Sequence, residues 1–185
     1  VRVMNTTPAC VSTGNTTSYV EGFLRRWVLT GSYDFPVGEV VKGYERANVT
    51  LLTNSNVVNL RANFVQYGAV PAPLGVLDCA ANLNMNALDD GKWIINAYDA
   101  ALTQITGTCT YDMTLYNRVG SYTNAAGSLG WTIMKDPTGT GAWALNGTCN
   151  GASTLNATRR NGMSGFSHFG TAQSTMPLPV ELISF

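Results

Sequence analysis

Seven carboxylate side chains are the first candidates for chemistry in this chain, because positioned acids carry out proton transfer in many hydrolases. A glycoside hydrolase needs two carboxyl groups about 5–10 Å apart around a sugar. The acids here are scattered along the sequence, and their spacing favours no pair. We therefore expect no catalytic site and no cofactor. The seven are Asp34, Glu39, Asp89, Asp90, Asp99, Asp112 and Asp136.

His168 is the only histidine in the chain and the other candidate for acid–base work. It lies in a predicted strand between Phe166 and Phe169, and no Gly-x-Ser-x-Gly nucleophile motif occurs. The pattern favours a packed or half-exposed histidine over a catalytic base. Asp89-Asp90-Gly91 offers the oxygen ligands that calcium takes, but it lacks the dense ligand spacing of a calcium loop. It therefore predicts a plain turn, and no metal site is expected.

Four tryptophans and eight tyrosines are numerous enough to build a flat platform on which a sugar could stack. Trp93 and Trp131, however, fall on the apolar-pattern faces of their predicted strands. Packing in the core is the better interpretation for these two. The sequence leaves Trp27 and Trp143 undecided.

The four cysteines, Cys10, Cys79, Cys109 and Cys149, are far apart and form no CxxC pair. With a single histidine in the chain, this spacing argues against zinc. An even number of cysteines in a polar, weakly charged chain favours two disulfides and an oxidising compartment over four buried thiols. A hairpin of strands 92–98 and 109–116 would favour the pairs Cys79–Cys109 and Cys10–Cys149.

The composition excludes two kinds of partner. Formal net charge is zero and only 12% of residues are charged, about half the usual ~25%. No general attraction to nucleic acid is therefore expected. No apolar run approaches the ~20 residues that a membrane-spanning helix needs, so we expect no membrane insertion. The surface must instead be covered by the 22 threonines, 17 asparagines and 19 glycines, which suits an extracellular β-protein.

Alternating apolar residues predict the fold class. Residues 58–64 alternate over seven positions, and strands 92–98 and 109–116 have the same period of two. With turn signals every ~8–12 residues, the pattern predicts an antiparallel β-sandwich of about nine or ten short strands, spanning residues 1–175. The predicted core contains Val58, Leu60, Ala62, Phe64, Trp93, Ile95, Tyr111, Met113 and Leu115.

The aromatic stretch 19–38 predicts an organising hairpin, with its turn at Gly31-Ser32. Pro36 would mark a strand end or an edge, because it cannot donate to a sheet ladder. Glu21-Gly22 would be a bulge. Neither face of the first strand is cleanly apolar, so Arg25 and Arg26 must reach water or a partner.

Residues 176–185 predict an extended connector or edge strand after the domain. The two prolines forbid a helix, and the apolar side chains that follow need burial against this domain or a neighbour. The residues that define this connector are Pro177, Pro179, Val180, Leu182 and Phe185.

Four short segments resemble parts of secreted Bacteroidetes surface proteins that carry a type IX secretion sorting domain. The tail Pro177-Leu-Pro-Val-Glu-Leu-Ile-Ser-Phe185 resembles the junction before that domain, and Gly165-Phe-Ser-His-Phe-Gly170 resembles the strand that precedes the junction. Ser18-Tyr-Val-Glu-Gly-Phe-Leu-Arg-Arg and Gly31-Ser-Tyr-Asp-Phe-Pro-Val-Gly38 resemble a further pattern of the same proteins. The resemblance implies a β-sandwich on the outer face of a Gram-negative outer membrane, with no catalytic residues to carry over.

Two functional classes follow from these observations. The first is a non-catalytic structural or adhesive module, which could be the C-terminal part of a large adhesin or a filament subunit. Its partners would be neighbouring domains or subunits and the type IX secretion machinery. The second is a carbohydrate-binding module of an exported enzyme, with glycans as partners. Aromatic side chains on an exposed, shallow face would distinguish the second class from the first.

Overall fold

The computed structural model describes residues 1–66, 76–78, 83–116 and 130–174. Within these ranges the protein is all-β, as the sequence predicts, with two sheets and one turn of 3-10 helix at Pro8–Cys10. The described part of the chain contains no helix with the length and apolar character needed to cross a bilayer.

The larger sheet has nine strands in the order β1-β3-β6-β9-β15-β8-β7, with β10 paired to β9 and β12 paired to β15. β15 lies inside this sheet and joins three partners: β12, β9 and β8. The strands are β1 (Arg2–Val3), β3 (Leu24–Trp27), β6 (Asn59–Gln66), β7 (Val76–Asp78), β8 (Leu83–Leu88), β9 (Gly91–Tyr98), β10 (Gln104–Ile105), β12 (Gly130–Asp136) and β15 (His168–Ser174).

The smaller sheet has six strands in the order β13-β14-β11-β5-β4-β2. They are β2 (Val20–Glu21), β4 (Gly31–Glu39), β5 (Gly43–Asn54), β11 (Cys109–Tyr116), β13 (Thr148–Cys149) and β14 (Thr158–Ser164). Both sheets are mixed, because β1 pairs with β3, and β2 with β4, in parallel. The expectation of nine or ten antiparallel strands is therefore not confirmed. Four of the fifteen strands in the described ranges have only two residues, too few to show a period in the sequence.

One cluster of buried side chains is shared by the two sheets. Eight of the nine predicted core residues belong to it, all at most 3% exposed. Val58 is the exception: it is half-buried, and Val57 occupies the core instead. The reason is local, because the Asn54 side chain accepts from Val57 N at 3.0 Å and donates to Val57 O at 2.8 Å. This turn interrupts the alternation just before β6 begins.

The predicted hairpin at residues 19–38 is wrong. β3 belongs to the larger sheet and β4 to the smaller one, so the chain crosses between sheets at both ends of β3. Gly22, at φ +86° where the bulge was expected, makes the first crossing. Pro36 lies within β4 opposite Arg46, not at a strand end. On its other side β2 pairs only with the two residues that follow it, so among the described residues Pro36 has the edge position that was the alternative.

The predicted connector, residues 176–185 with Pro177, Pro179, Val180, Leu182 and Phe185, lies outside the described residues. The boundary placed at residue 175 remains a prediction for the same reason.

Candidate binding face

Most of the scattered carboxylates accept hydrogen bonds that stabilise turns or strands. Asp136 accepts backbone N–H groups from Thr138, Gly139 and Gly141 at 2.8–3.2 Å. Burial alone would raise its pKa, but these donors together lower it. The others have similar roles: Glu39 accepts from Lys42 N, Asp99 from Thr103 N, Asp112 from Gly162 N, and Asp34 from the Asn48 side chain.

Asp89 and Asp90 form the turn that the sequence predicts between β8 and β9. Asp90 forms an ion pair with Lys42, whereas Asp89 is only 2% exposed and its Oδ2 has no hydrogen-bond partner. Burial raises the pKa of Asp89 to about 8, and the negative charges of Asp90 and Glu45 add to the rise. Within the described ranges, no group of three or more metal-ligating side chains is assembled here or elsewhere.

His168 is half-buried and packs against the turn at Gly139, where an added Cβ would lie 2.5 Å from its ring. Its Nδ1 is 3.3 Å from Lys92 Nζ. Burial and the Lys92 charge lower the pKa of His168, and Asp136 opposes this effect. These surroundings suit the packed histidine inferred from the sequence.

The two favoured disulfide pairings are wrong, because Cys10 and Cys109 are free thiols. Cys109 lies at the start of β11, where burial raises its pKa to about 11. Cys10 is exposed in the 3-10 turn, with Sγ 3.6 Å from the Arg26 guanidinium. Cys149 is disulfide-bonded, and Cys79 lies outside the described residues. β9 and β11 belong to different sheets, so they do not form the hairpin that would favour these pairings.

The tryptophans divide between core and surface. Trp93 and Trp131 are buried, which confirms their interpretation as packing residues. Trp143 is buried too, in a second apolar cluster with Met85, Leu88, Met134 and Ala172. Trp27 is half-buried, on the side of β3 opposite the core residue Leu24.

The two neighbouring arginines of β3 point to opposite sides of the sheet. Arg26 is fully buried and reaches backbone oxygens, not water: it donates to Asp34 O at 2.7 Å and to Pro8 O at 2.8 Å. Its guanidinium lies 5.1 Å from the Tyr33 ring centre. It therefore fastens the N-terminal segment to the core. Arg25 points to the opposite side of the sheet.

Arg25 belongs to a row of three arginines that crosses neighbouring strands. Arg2 in β1 pairs with Arg25 in β3, and Arg25 pairs with Arg61 in β6. Asn96 in β9 continues the row. Because Leu60 and Ala62 on either side of Arg61 point into the core, Arg61 points outward. We call Arg2, Arg25 and Arg61 the arginine row, and the side of the larger sheet that carries it the outer face.

Aromatic rings hold two of these guanidinium groups. Arg25 Cζ lies 4.4 Å from the centre of the Tyr98 ring, and Arg61 Cζ lies 3.9 Å from the centre of the Phe23 ring. Such cation–π contacts attract a guanidinium group to the ring face and favour this side-chain position. Trp27 and Tyr98 flank Asn59 in the next row of the sheet.

Polar atoms on this part of β6 lack hydrogen-bond partners among the described residues. Asn59 is fully buried, yet neither its Oδ1 nor its Nδ2 is bonded. Asn63 Oδ1 and Arg61 Nε are also unpaired. Most buried polar groups in folded proteins are satisfied, and β6 carries four of the eleven unpaired side-chain atoms in the described residues.

The arginine row also lacks acidic partners in the described part of the chain. The ion pairs there are Lys42–Asp90, Arg46–Asp34 and Arg160–Asp78, none of which involves the outer face. The sequence carried a signal for this face, since Arg61 alternates with core residues. What it could not supply was the pairing of β1, β3 and β6, which aligns the three arginines.

Comparison with known proteins found no matching family model, no similar curated protein and no similar solved structure.

Proposed function

We propose that this chain is a non-catalytic β-sandwich module of an exported cell-surface protein, and that it makes adhesive contact through its outer face. The observation that carries the proposal is the arginine row, three cations aligned across adjacent strands with no carboxylate partner among the described residues. Like charges directly opposite each other on a sheet are unfavourable. A surface that retains them gains from an external anionic partner.

The construction of the face supports a binding role. Its side chains project from β-strands, which position contact groups more rigidly than loops do. The other faces of these strands are anchored in the shared core by residues such as Leu24, Leu60 and Ile95. The seven candidate carboxylates have other roles: they accept hydrogen bonds within turns and strands, pair with cations or lie buried. The outer face is therefore the better candidate for function.

The cellular setting of the proposal rests on the sequence. The resemblance of segments 18–38, 165–170 and 177–185 to type IX secretion cargo supports a location on the outer surface of a Bacteroidetes cell. Residues 176–185 would then connect the module to a sorting domain, to a neighbouring domain or to the next subunit of a filament. Detection of the parent protein on intact cells with an antibody to this domain tests the location. Exclusive recovery from the cytosol would contradict it.

A carbohydrate-binding module of an exported enzyme is the second candidate. Trp27 favours it, because this aromatic side chain remains partly exposed on the outer face. Phe23 is exposed there too, with the Arg61 guanidinium over one face of its ring. Phe23 is 45% exposed. An enzyme encoded in the same polypeptide would distinguish this candidate from an adhesin.

Beads coated with the purified domain test the adhesive proposal directly. We expect the beads to bind some members of a panel of immobilised proteins and glycans. Binding should fall when Arg25 and Arg61 are both changed to Gln. Arg159→Gln is the matched control, because Arg159 lies on β14 in the smaller sheet. Failure to bind any member, or binding that the double variant leaves unchanged, would refute the role of the outer face.

A further inference from the structure

We propose that the outer face binds an anionic polysaccharide, one that carries carboxylate or sulfate groups along its chain. This inference rests on the proposed adhesive function and specifies its ligand. It is carried by the juxtaposition of the arginine row with three amide atoms that have no partner among the described residues: Oδ1 and Nδ2 of Asn59 and Oδ1 of Asn63.

The spacing of the charges fits a repeating ligand. Adjacent strands are about 4.8 Å apart, so the arginine row extends over ~10 Å from β1 to β6. Asn96 continues the row on β9. A single small anion would neutralise one or two of these cations, whereas a polymer with an acidic group on successive sugars can reach all three. The row runs across the strands to β1, the end of the sheet order, so a long chain can extend past it.

The geometry of the guanidinium groups favours oxyanions. Arginine presents two parallel N–H donors to a carboxylate or sulfate, and such charge-assisted pairs are among the stronger hydrogen bonds in proteins. The Tyr98 and Phe23 rings hold the guanidinium groups of Arg25 and Arg61 by cation–π contact. Less side-chain freedom is therefore lost when the anion binds.

The amide side chains add the capacity to recognise hydroxyl groups. An asparagine amide offers two donors and one acceptor oxygen, and those of Asn59 are unused among the described residues. Asn59 is fully buried between Trp27 and Tyr98 on the neighbouring strands. A ligand reaches it only if a flanking side chain moves. Sugar hydroxyls both donate and accept hydrogen bonds, so they match the unpaired amide atoms of Asn59 and Asn63.

Nucleic acid and neutral glycans fit the face less well. Proteins that bind single strands offer open aromatic rings to the bases, but Tyr98 and Phe23 already have guanidinium groups over them. The same occupation leaves fewer rings for a neutral sugar.

Titration calorimetry of the full chain with four polymers tests the inference. The probes are polygalacturonate for carboxylates, chondroitin sulfate for mixed groups, neutral dextran, and single-stranded DNA. We expect binding to the first, the second or both, and the stronger of the two identifies the acidic group. Affinity should fall as salt is raised. Dextran and DNA should bind at least tenfold more weakly.

Three variants test whether the arginine row carries the polysaccharide binding. Arg61→Gln should weaken binding by about 10- to 100-fold, the range for loss of a charge-assisted hydrogen bond. Arg61→Lys keeps the charge but loses the paired donors, so an intermediate loss is expected. Arg159→Gln should leave binding unchanged. Circular dichroism verifies that each variant is folded. If Arg61→Gln does not fold, the binding loss in Arg61→Lys tests the role of Arg61 instead.

The outcomes separate this inference from the adhesive proposal. Equal or tighter binding to dextran or to DNA, or an equal loss in Arg159→Gln, would overturn the inference. If coated beads adhere to a protein through the arginine row while all polysaccharides fail, the adhesive function stands and the ligand class is wrong. If neither beads nor polysaccharides bind, both fail.

Discussion

Replacement of Asp89 by asparagine should make the protein less sensitive to alkaline pH. The Asp89 carboxyl is 2% exposed, its Oδ1 accepts from Asp90 N at 2.7 Å, and its Oδ2 has no partner. Because burial raises its pKa to about 8, the folded protein holds it protonated at neutral pH. An asparagine has the same shape and no charge, so it should fit the same position.

The size of the effect follows from the difference between folded and unfolded pKa values. The unfolded value is ~3.9, and each unit of difference is worth about 1.4 kcal/mol. Between pH 4 and 8 the folded state binds a proton that the unfolded state has lost, so the free energy of unfolding falls as pH rises. Four units give an upper limit on the order of 5 kcal/mol. The favourable contribution is complete below pH ~4 and is lost as pH rises through about 8.

Urea unfolding of wild type and Asp89→Asn at pH 4, 6, 8 and 9 measures this difference. We expect near-equal stability at pH 4 and a variant more stable by several kcal/mol at pH 8–9. Asp99→Asn removes a carboxylate that caps the Thr103 turn and controls for loss of any acidic group. A difference that does not change with pH, or that grows toward acid, would refute the reasoning.

Two further predictions concern packing and thiol chemistry. Gly91→Ala would place a Cβ 2.0 Å from the Phe64 ring, so urea unfolding should show that the free energy of unfolding falls by ~1–3 kcal/mol. Gly151→Ala is the control: no atom lies within 4 Å of the new Cβ, so the free energy of unfolding should change by less than about 1 kcal/mol. In the native protein Ellman's reagent should react quickly with Cys10, which is exposed, and with Cys109 only after unfolding, because burial raises its pKa to about 11. Rapid reaction of both thiols, or of neither, would contradict the described environments.

Sequence reasoning worked where a strand is long and packed on one face. β9 and β11 have eight residues each, with Trp93 and Ile95 or Tyr111 and Met113 inward, and their period of two is visible directly. The all-β class follows from such strands. The same reasoning failed at residues 19–38, because a hairpin and a crossing between sheets use the same signals. A glycine at positive φ, such as Gly22, is compatible with either.

The candidate face shows a second limit. Arg25 and Arg26 are adjacent and chemically identical, yet Arg26 is fully buried against backbone oxygens and Arg25 faces outward. Alternation predicts that they point to opposite sides, but it does not say which side is the core. The partners of Arg25 in the arginine row are distant in sequence, and only strand pairing brings them together.

The position of β15 inside the larger sheet determines when that sheet can form during synthesis. A ribosome releases residues 168–174 after β8, β9 and β12, the three strands that β15 joins. Until then these strands expose unpaired backbone groups, which are templates for pairing with another chain. Any nascent or truncated chain that ends before residue 168 is therefore expected to aggregate or to need a chaperone.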